Sequence, residues 1–149
     1  MKFLVLHGPN MNLMGVREPE VYGSVTLDEL NRAVLAWGKR HDVAVTIEQT
    51  NSEAVLIELI HDAAEWADGI VMNPAGLTHS SVCIADALRA VGVPAIEVHL
   101  TNIFAREGFR RTSLIAEACL GVVAGLGPYG YIAACASLLE YVQRETFAD

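Results

Sequence analysis

A chain of 149 residues with no internal repeat, low-complexity tract or linker is the size of one domain, taken here as residues 1–149. Its net charge of −8 lacks the basic footprint that nucleic-acid binding needs. Its apolar runs are too short to form a secretory signal or to cross a bilayer, so neither a nucleic-acid nor a membrane partner is expected and the expected location is cytoplasmic.

The 52% hydrophobic fraction is carried by Leu, Val, Ile and Ala, while aromatics make up only 7%. Such a balance suits a parallel sheet covered on both faces, with some surface buried by other subunits. Cys83, Cys119 and Cys135 are odd in number and far apart, with no metal or redox spacing, and read as small buried hydrophobes of a reducing compartment.

In chain order, Phe3–Leu6 is the first predicted strand, and it runs into His7-Gly8-Pro9-Asn10-Met11-Asn12. The stretch from Asn10 to Ser24 shows neither helical nor strand period, and long loops of this kind in compact domains are functional or disordered. It holds Arg17 and Tyr22. If the loop folds over a pocket the two could meet, and a guanidinium would then lower the Tyr pKa from its usual value of about 10. On spacing alone, a tyrosine packed in a turn is the better reading.

Thr26-Leu27-Asp28-Glu29 is a capping box that opens a helix carrying Leu27, Leu30, Val34 and Trp37 at helical spacing. Val43–Ile47 is the second strand, and Leu56, Leu59, Ile60 and Ala63 mark the next helix. Gly69–Met72 is the third strand, followed by Asn73-Pro74-Ala75-Gly76-Leu77-Thr78-His79. Ser80 and Ser81 suit the first turn of a helix bearing Ile84, Leu88 and Val91, closed by Gly92, and that first turn is a ready anion site.

Pro94–Val98 is the fourth strand, closing through Glu97-Val98-His99-Leu100-Thr101-Asn102. Arg106, Arg110 and Arg111 follow as the cation cluster an anionic ligand would need in so acidic a chain. Gly121–Ala124 is the fifth strand, and a final helix runs from about Tyr129 to Val142. Gly125-Leu126-Gly127-Pro128-Tyr129-Gly130 matches GxGxxG, yet no acidic strand end follows, so a dinucleotide site is not expected.

Strand–helix alternation at this spacing predicts βαβ units. The expected fold is a three-layer α/β flavodoxin-like one, a five-stranded parallel sheet of order 2-1-3-4-5 with helices on both faces. Ligands of such sheets bind beyond the carboxyl ends of the strands. Three of those ends carry dense polar chemistry and are neighbours in that order. Glu97 and His99 stand two apart on a strand, on one face, so Glu97 can orient the ring and favour its protonated form. A structural His–Glu pair is the rival reading of that spacing.

Five segments, Leu-His-Gly-Pro-Asn-Met-Asn-Leu-Met-Gly at 6–15, Arg-Glu-Pro-Glu-Val-Tyr-Gly at 17–23, Asn-Pro-Ala-Gly-Leu-Thr-His at 73–79, Glu-Val-His-Leu-Thr-Asn at 97–102 and Ala-Arg-Glu-Gly-Phe-Arg at 105–110, together resemble the type II dehydroquinases. The likeness runs from Leu4 to about Leu139. It implies a cofactor-free hydro-lyase that eliminates water from 3-dehydroquinate through an enolate, in the shikimate pathway or in quinate breakdown.

In that reading Tyr22 is the base, Arg17 lowers its pKa, and His99, backed by Glu97, is the acid. Asn10 and Asn73 hold the catalytic water and the substrate, and the Leu100 and Thr101 amides cradle a carboxylate. His79 and Arg110 bind ring hydroxyls, Arg106 is a lid arginine, and Asp86 reaches a neighbouring subunit's site. The resemblance also implies trimers, commonly assembled into dodecamers.

The chain departs from the family pattern at His7, Ala85, Thr101, Phe104, Gly108, Thr112 and Leu114, which leaves the catalytic set intact and bears on the lid, subunit contacts and fine substrate preference. A paralogue acting on a related hydroxylated cyclic acid, or a non-catalytic flavodoxin-like binding domain, are the alternative expectations.

Overall fold

The computed structural model describes residues 1–16 and 18–144, and of Tyr22 the backbone alone. Five parallel strands, β1 (Lys2–His7), β2 (Ala44–Gln49), β3 (Gly69–Asn73), β4 (Ala95–His99) and β5 (Gly121–Ala124), form one sheet of order β2-β1-β3-β4-β5. The helices are α1 (Pro19–Tyr22), α2 (Leu27–Arg40), α3 (Glu53–Ala63), α4 (Val82–Val91) and α5 (Tyr129–Gln143).

The period-two alternation of the strands sorts two cores. Phe3, Val5, Val71, Ile96 and Val98 face α2 and α5, meeting Leu30, Val34, Trp37, Ala134 and Leu138. Leu4, Leu6, Ile70, Met72 and Ala95 face α3 and α4, meeting Leu56, Ile60, Ile84 and Leu88. The expected three layers and strand order are therefore present. The same alternation decides the polar strand ends. His7 and Asn73 are register partners on the α2/α5 side, whereas Glu97 and His99 point to the α3/α4 side.

The apolar runs under-read four of the five strands. The ladders take in polar His7, Gln49, Asn73 and His99 at their ends, because backbone pairing does not depend on side-chain polarity. β2 is an edge strand, with Ala44, Thr46 and Glu48 exposed rather than doubly buried.

The helix signals hold. Thr26 and Glu29 form the reciprocal capping box, and Gly92 ends α4 with φ 68°. Ser81 caps α4, accepting from the Ile84 N–H at 3.0 Å. The anion expected at that terminus is the chain's own, because the Ser81 hydroxyl donates to the Glu53 carboxylate.

The 10–24 segment is less irregular than its sequence suggests, since a 3-10 turn (Met11–Leu13) and the short helix α1 lie within it. Its Pro19 start and Gly23 end are local signals too brief to create a period. The cysteines also differ from expectation: Cys135 is buried, Cys119 partly so and Cys83 exposed, because Cys83 falls on the outer face of α4.

Three glycines bring the strand ends together. A Cβ on Gly8 would lie 2.6 Å from the Pro74 carbonyl oxygen, and the Gly8 N–H donates to the Asn73 carbonyl at 2.7 Å. Only a residue without a side chain lets β1 and β3 exit so close together. Gly125 (φ 88°) donates to the His99 carbonyl at 3.2 Å, and Gly127 donates to the Leu100 carbonyl at 2.9 Å. The GxGxxG match is thus a brace for the end of β4.

Candidate active site

A cavity of about 210 Å³ opens over the carboxyl ends of β1, β3 and β4, lined by Asn10, Met11, Asn73, His79, His99, Leu100, Thr101, Arg106 and Arg110 among others. This is where the fold rule and the polar strand ends place a ligand. Of the residues expected at the site, Asn10, Asn73, His79, His99, Leu100, Thr101, Arg106 and Arg110 line it together, and Glu97 stands directly behind His99. Arg17 and the Tyr22 side chain lie outside the described residues. Asp86 does not line this cavity; it is exposed on α4 and pairs with Arg89 at 3.4 Å. Arg111 does not line it either, and instead donates from Nε to the Arg106 carbonyl at 2.7 Å.

The Glu97–His99 pair forms as the strand spacing predicts. His99 Nε2–H donates to Glu97 Oε1 at 2.7 Å, and both side chains are buried. The Thr78 hydroxyl also donates to that carboxylate, and Ser113 Oγ lies 2.9 Å from both of its oxygens. The Ser113 oxygen in turn accepts from the Ile115 and Ala116 N–H groups at 3.2 and 3.0 Å. Burial pushes the Glu97 pKa up, but the hydrogen bonds from His99, Thr78 and Ser113 and the charge of His99 outweigh it and hold the carboxyl below its ordinary value. Glu97 is therefore ionised at neutral pH.

Because a carboxylate only accepts, His99 must carry a proton on Nε2, which leaves Nδ1 as the nitrogen for chemistry. Thr78 and Ser113 escaped the sequence reading. Thr78 sat inside a noticed motif, while Ser113 lacked any periodic signal.

His79 is fixed from the other side. Its Nδ1 lies 2.8 Å from the Thr112 carbonyl, so Nδ1 carries the hydrogen and Nε2 accepts. The ring meets Phe109 edge-on at 5.9 Å, and the Arg110 guanidinium lies 5.0 Å from the Phe109 ring centre. Arg110 Nε donates to Glu107 at 2.8 Å, and Glu107 also faces Arg106 at 3.8 Å. Glu107 is held below its ordinary pKa by a backbone hydrogen bond of its own residue and by Arg110.

Asn10 takes up the left-handed region (φ 68°), which asparagine tolerates better than most residues. Its N–H is held by Asn51 Oδ1 at 2.9 Å, and Asn51 accepts from Gln49 at 3.1 Å. The end of β2 thus props the loop after β1, a role no motif announced.

Behind Asn73, on the α2/α5 side, lies a buried polar chain. His7 Nδ1 is 2.9 Å from the Tyr131 hydroxyl, and His7 Nε2 is 2.8 Å from Asn31 Oδ1. Burial lowers the His7 pKa from its ordinary 6.5 to about 4, against an opposing hydrogen bond to Asn31. The unfolded chain therefore binds a proton that the native one refuses as pH falls from 6.5 to about 4, so stability is full above pH 6.5 and is lost across that window. The gap corresponds to about 3 kcal/mol. Denaturant unfolding at pH 6.5 and 4.5 is expected to show most of that loss, and His7→Asn is expected to abolish it. An equal loss in the variant would assign acid sensitivity elsewhere.

Among the described residues, no three His, Cys, Asp or Glu side chains come together as a metal ion would require, and no helix is long and apolar enough to cross a membrane.

Fold and site together define a doubly wound α/β domain whose strand ends carry a cavity walled by a Glu-backed histidine and two arginines. A model of the family described as dehydroquinase class II matches residues 1–139. A 3-dehydroquinate dehydratase of Caldanaerobacter subterraneus subsp. tengcongensis is 51% identical over 133 residues, covering 89% of this chain and 90% of the relative. The crystal structure of a type II dehydroquinase from Butyrivibrio crossotus superposes with a TM-score of 0.92 at 39% identity, covering 93% of this chain and 97% of that one. A 3-dehydroquinate dehydratase-like protein from Bifidobacterium longum matches at TM-score 0.69 and 31% identity, covering 94% and 98%. The chain belongs to the type II dehydroquinase family.

Proposed function

We propose that this protein is a 3-dehydroquinate dehydratase, removing water from 3-dehydroquinate to give 3-dehydroshikimate, and that residues 1–149 act as one catalytic domain. The observation that carries the reading is the His99 ring, oriented by a buried ionised Glu97 at the wall of a cavity that also presents Arg106 and Arg110. A poor leaving group such as hydroxide needs this kind of proton donor.

The roles follow from the chemistry. Tyr22, with its pKa lowered by Arg17, takes the proton from the carbon beside the ketone. The resulting enolate is held by Arg17 and by a water bound to Asn10. His99 Nδ1–H protonates the departing hydroxyl, the double bond forms, and water leaves. Tyr22 then returns its proton to solvent and His99 regains one, which resets both groups. The Leu100 and Thr101 amides and Arg106 hold the carboxylate. Asn73, Arg110 and the accepting Nε2 of His79 hold the ring hydroxyls. The role of Nε2 is supported by the tautomer that the Thr112 carbonyl imposes.

The protein works in the cytoplasm as a trimer, assembled as a dodecamer, with Asp86 of one subunit reaching its neighbour's site. Exposed Val82, Phe104, Phe109, Leu120 and Leu126 support such burial. The pathway is biosynthetic or catabolic according to the substrate's supply.

Purified protein given 3-dehydroquinate is expected to generate the ultraviolet absorbance of a conjugated enone. Turnover of a related cyclic hydroxy acid alone would favour the paralogue, and turnover of neither would favour a binding domain.

A further inference from the structure

The glycine turn between β5 and α5 does not line the cavity, yet it grips the two peptide groups assigned above to the substrate's carboxylate. The Gly125 N–H donates to the His99 carbonyl at 3.2 Å, and the Gly127 N–H donates to the Leu100 carbonyl at 2.9 Å. In an extended strand, successive carbonyls point to opposite neighbours. Here two in succession are drawn to one side by a single turn. A trans peptide is planar, with its N–H pointing away from its C=O. The Leu100 N–H is therefore aimed away from the turn, and the Thr101 N–H is aimed the same way. Two successive N–H groups aimed together form a concave donor pair that suits an anion.

Leu100 and Thr101 both line the cavity. Among the described residues neither N–H meets an acceptor, although Leu100 is buried. An unpartnered N–H on a buried residue is rare, and a ligand oxygen would satisfy it. The turn is also built to hold its place. Gly125 (φ 88°) and Gly127 (φ 59°) take conformations that favour glycine. A Cβ on Gly125 would lie 3.0 Å from the Asn102 Cβ and 3.3 Å from the Asn102 Cα and N, so the turn is in contact with the segment after β4. The Gly127 carbonyl accepts from the Gly130 N–H at 3.0 Å, which ties the turn to the first residues of α5.

We propose that Gly125 and Gly127 are positioning residues, which hold the His99 and Leu100 carbonyls so that the Leu100 and Thr101 N–H groups converge on one carboxylate in the cavity. The inference rests on the dehydratase reading for the identity of that carboxylate. Turnover alone would not test it, because one of the two carbonyls belongs to His99, the proposed acid. Preference for a carboxylate over its uncharged amide is the property that the turn should set.

The test is calorimetric binding of quinate and of its primary amide to wild type, Gly125→Ala and Gly92→Ala, beside turnover of 3-dehydroquinate by wild type. Wild type is expected to bind quinate about 10²-fold tighter than the amide. Gly125→Ala forces the turn off Asn102 and is expected to lower that preference about tenfold, the worth of a hydrogen bond to a charged group. Gly92→Ala strains another positive φ, with open space around its Cβ at the far end of α4, and is expected to lower Tm and leave the preference unchanged. If Gly125→Ala does not fold, the full chain joined at the natural Cys119, with an ester replacing the amide that bears the Gly127 N–H, deletes that single donor. It is expected to lower the preference about fivefold.

A wild-type preference in either folded variant of the turn overturns the proposal. An equal loss in Gly92→Ala also overturns it, since the preference would then follow stability. So does a wild type that binds both ligands alike or neither. A wild type that prefers quinate but leaves 3-dehydroquinate unchanged sinks the dehydratase reading, while a loss of preference confined to the turn variants would still support the cradle.

Discussion

Glu97→Gln is expected to lower kcat for 3-dehydroquinate by about 10²–10⁴-fold, with KM changed only modestly. The wild-type carboxylate receives the His99 Nε2–H together with the hydroxyls of Thr78 and Ser113, all of them donors. An amide at this position puts an NH2 where Oε2 stood, and that NH2 must compete for the Ser113 oxygen with the Ile115 and Ala116 N–H groups. It also removes the negative charge beside the ring when the ring must carry a proton. Arg106, Arg110 and Asn73, the cavity residues proposed to hold the substrate, are untouched, which is why the loss falls on kcat. Thr78→Val and Ser113→Ala each remove one of several donors and are expected to cost less, about tenfold. Rapid measurement of kcat and KM by enone absorbance checks the set. If Glu97→Gln retained wild-type kcat, the His99 ring would not be the acid, whatever its geometry.

The contrast between Glu97 and the residues that hold it shows what a sequence makes legible. Glu97 and His99 could be paired on paper because two-residue spacing on a strand fixes a shared face. The observed 2.7 Å contact needs nothing beyond that spacing and a buried strand end. Strand order was equally legible, since five apolar runs separated by helical periods leave few right-handed parallel arrangements. Convergence of Asn10, Asn73 and His99 then followed from adjacency of β1, β3 and β4.

Ser113 is different in kind. It reaches Glu97 from an irregular segment, sixteen residues away in the chain, and no period or cap predicts where such a segment passes. The pairing of His7 with Tyr131 spans 124 positions, joining the first strand to the last helix. It could be inferred only once the sheet had placed both on one side. His7 had drawn notice as a departure from the family pattern, but the reason it fits was hidden in the partners Asn31 and Tyr131. Asp86 is placed by resemblance and not by contact, and on α4 it is exposed and pairs with Arg89.

Tyr22→Phe is expected to reduce kcat by about 10²–10⁴-fold, because it removes the base and leaves the acid and the binding groups in place. The choice of Tyr22 over the two cavity histidines rests on what those rings are already doing. His99 is committed to Glu97 through Nε2 and serves as a donor. His79 is held by the Thr112 carbonyl, and its free Nε2 is suited to accept a hydrogen bond from a ring hydroxyl. A phenol is a poor proton acceptor until ionised, and at a pKa of about 10 only about one in a thousand would be ionised at neutral pH. A guanidinium beside it favours the phenolate and lowers that pKa. Arg17→Ala is therefore expected to lower kcat near neutrality and to move the rising limb of the pH–rate profile to higher pH, with activity partly recovered in alkaline buffer. Tyr22→Phe should show no such recovery, since it has no proton to lose. A full-activity Tyr22→Phe enzyme would pass the role of base to His79, and His79→Ala would then abolish turnover where the present assignment expects chiefly a raised KM.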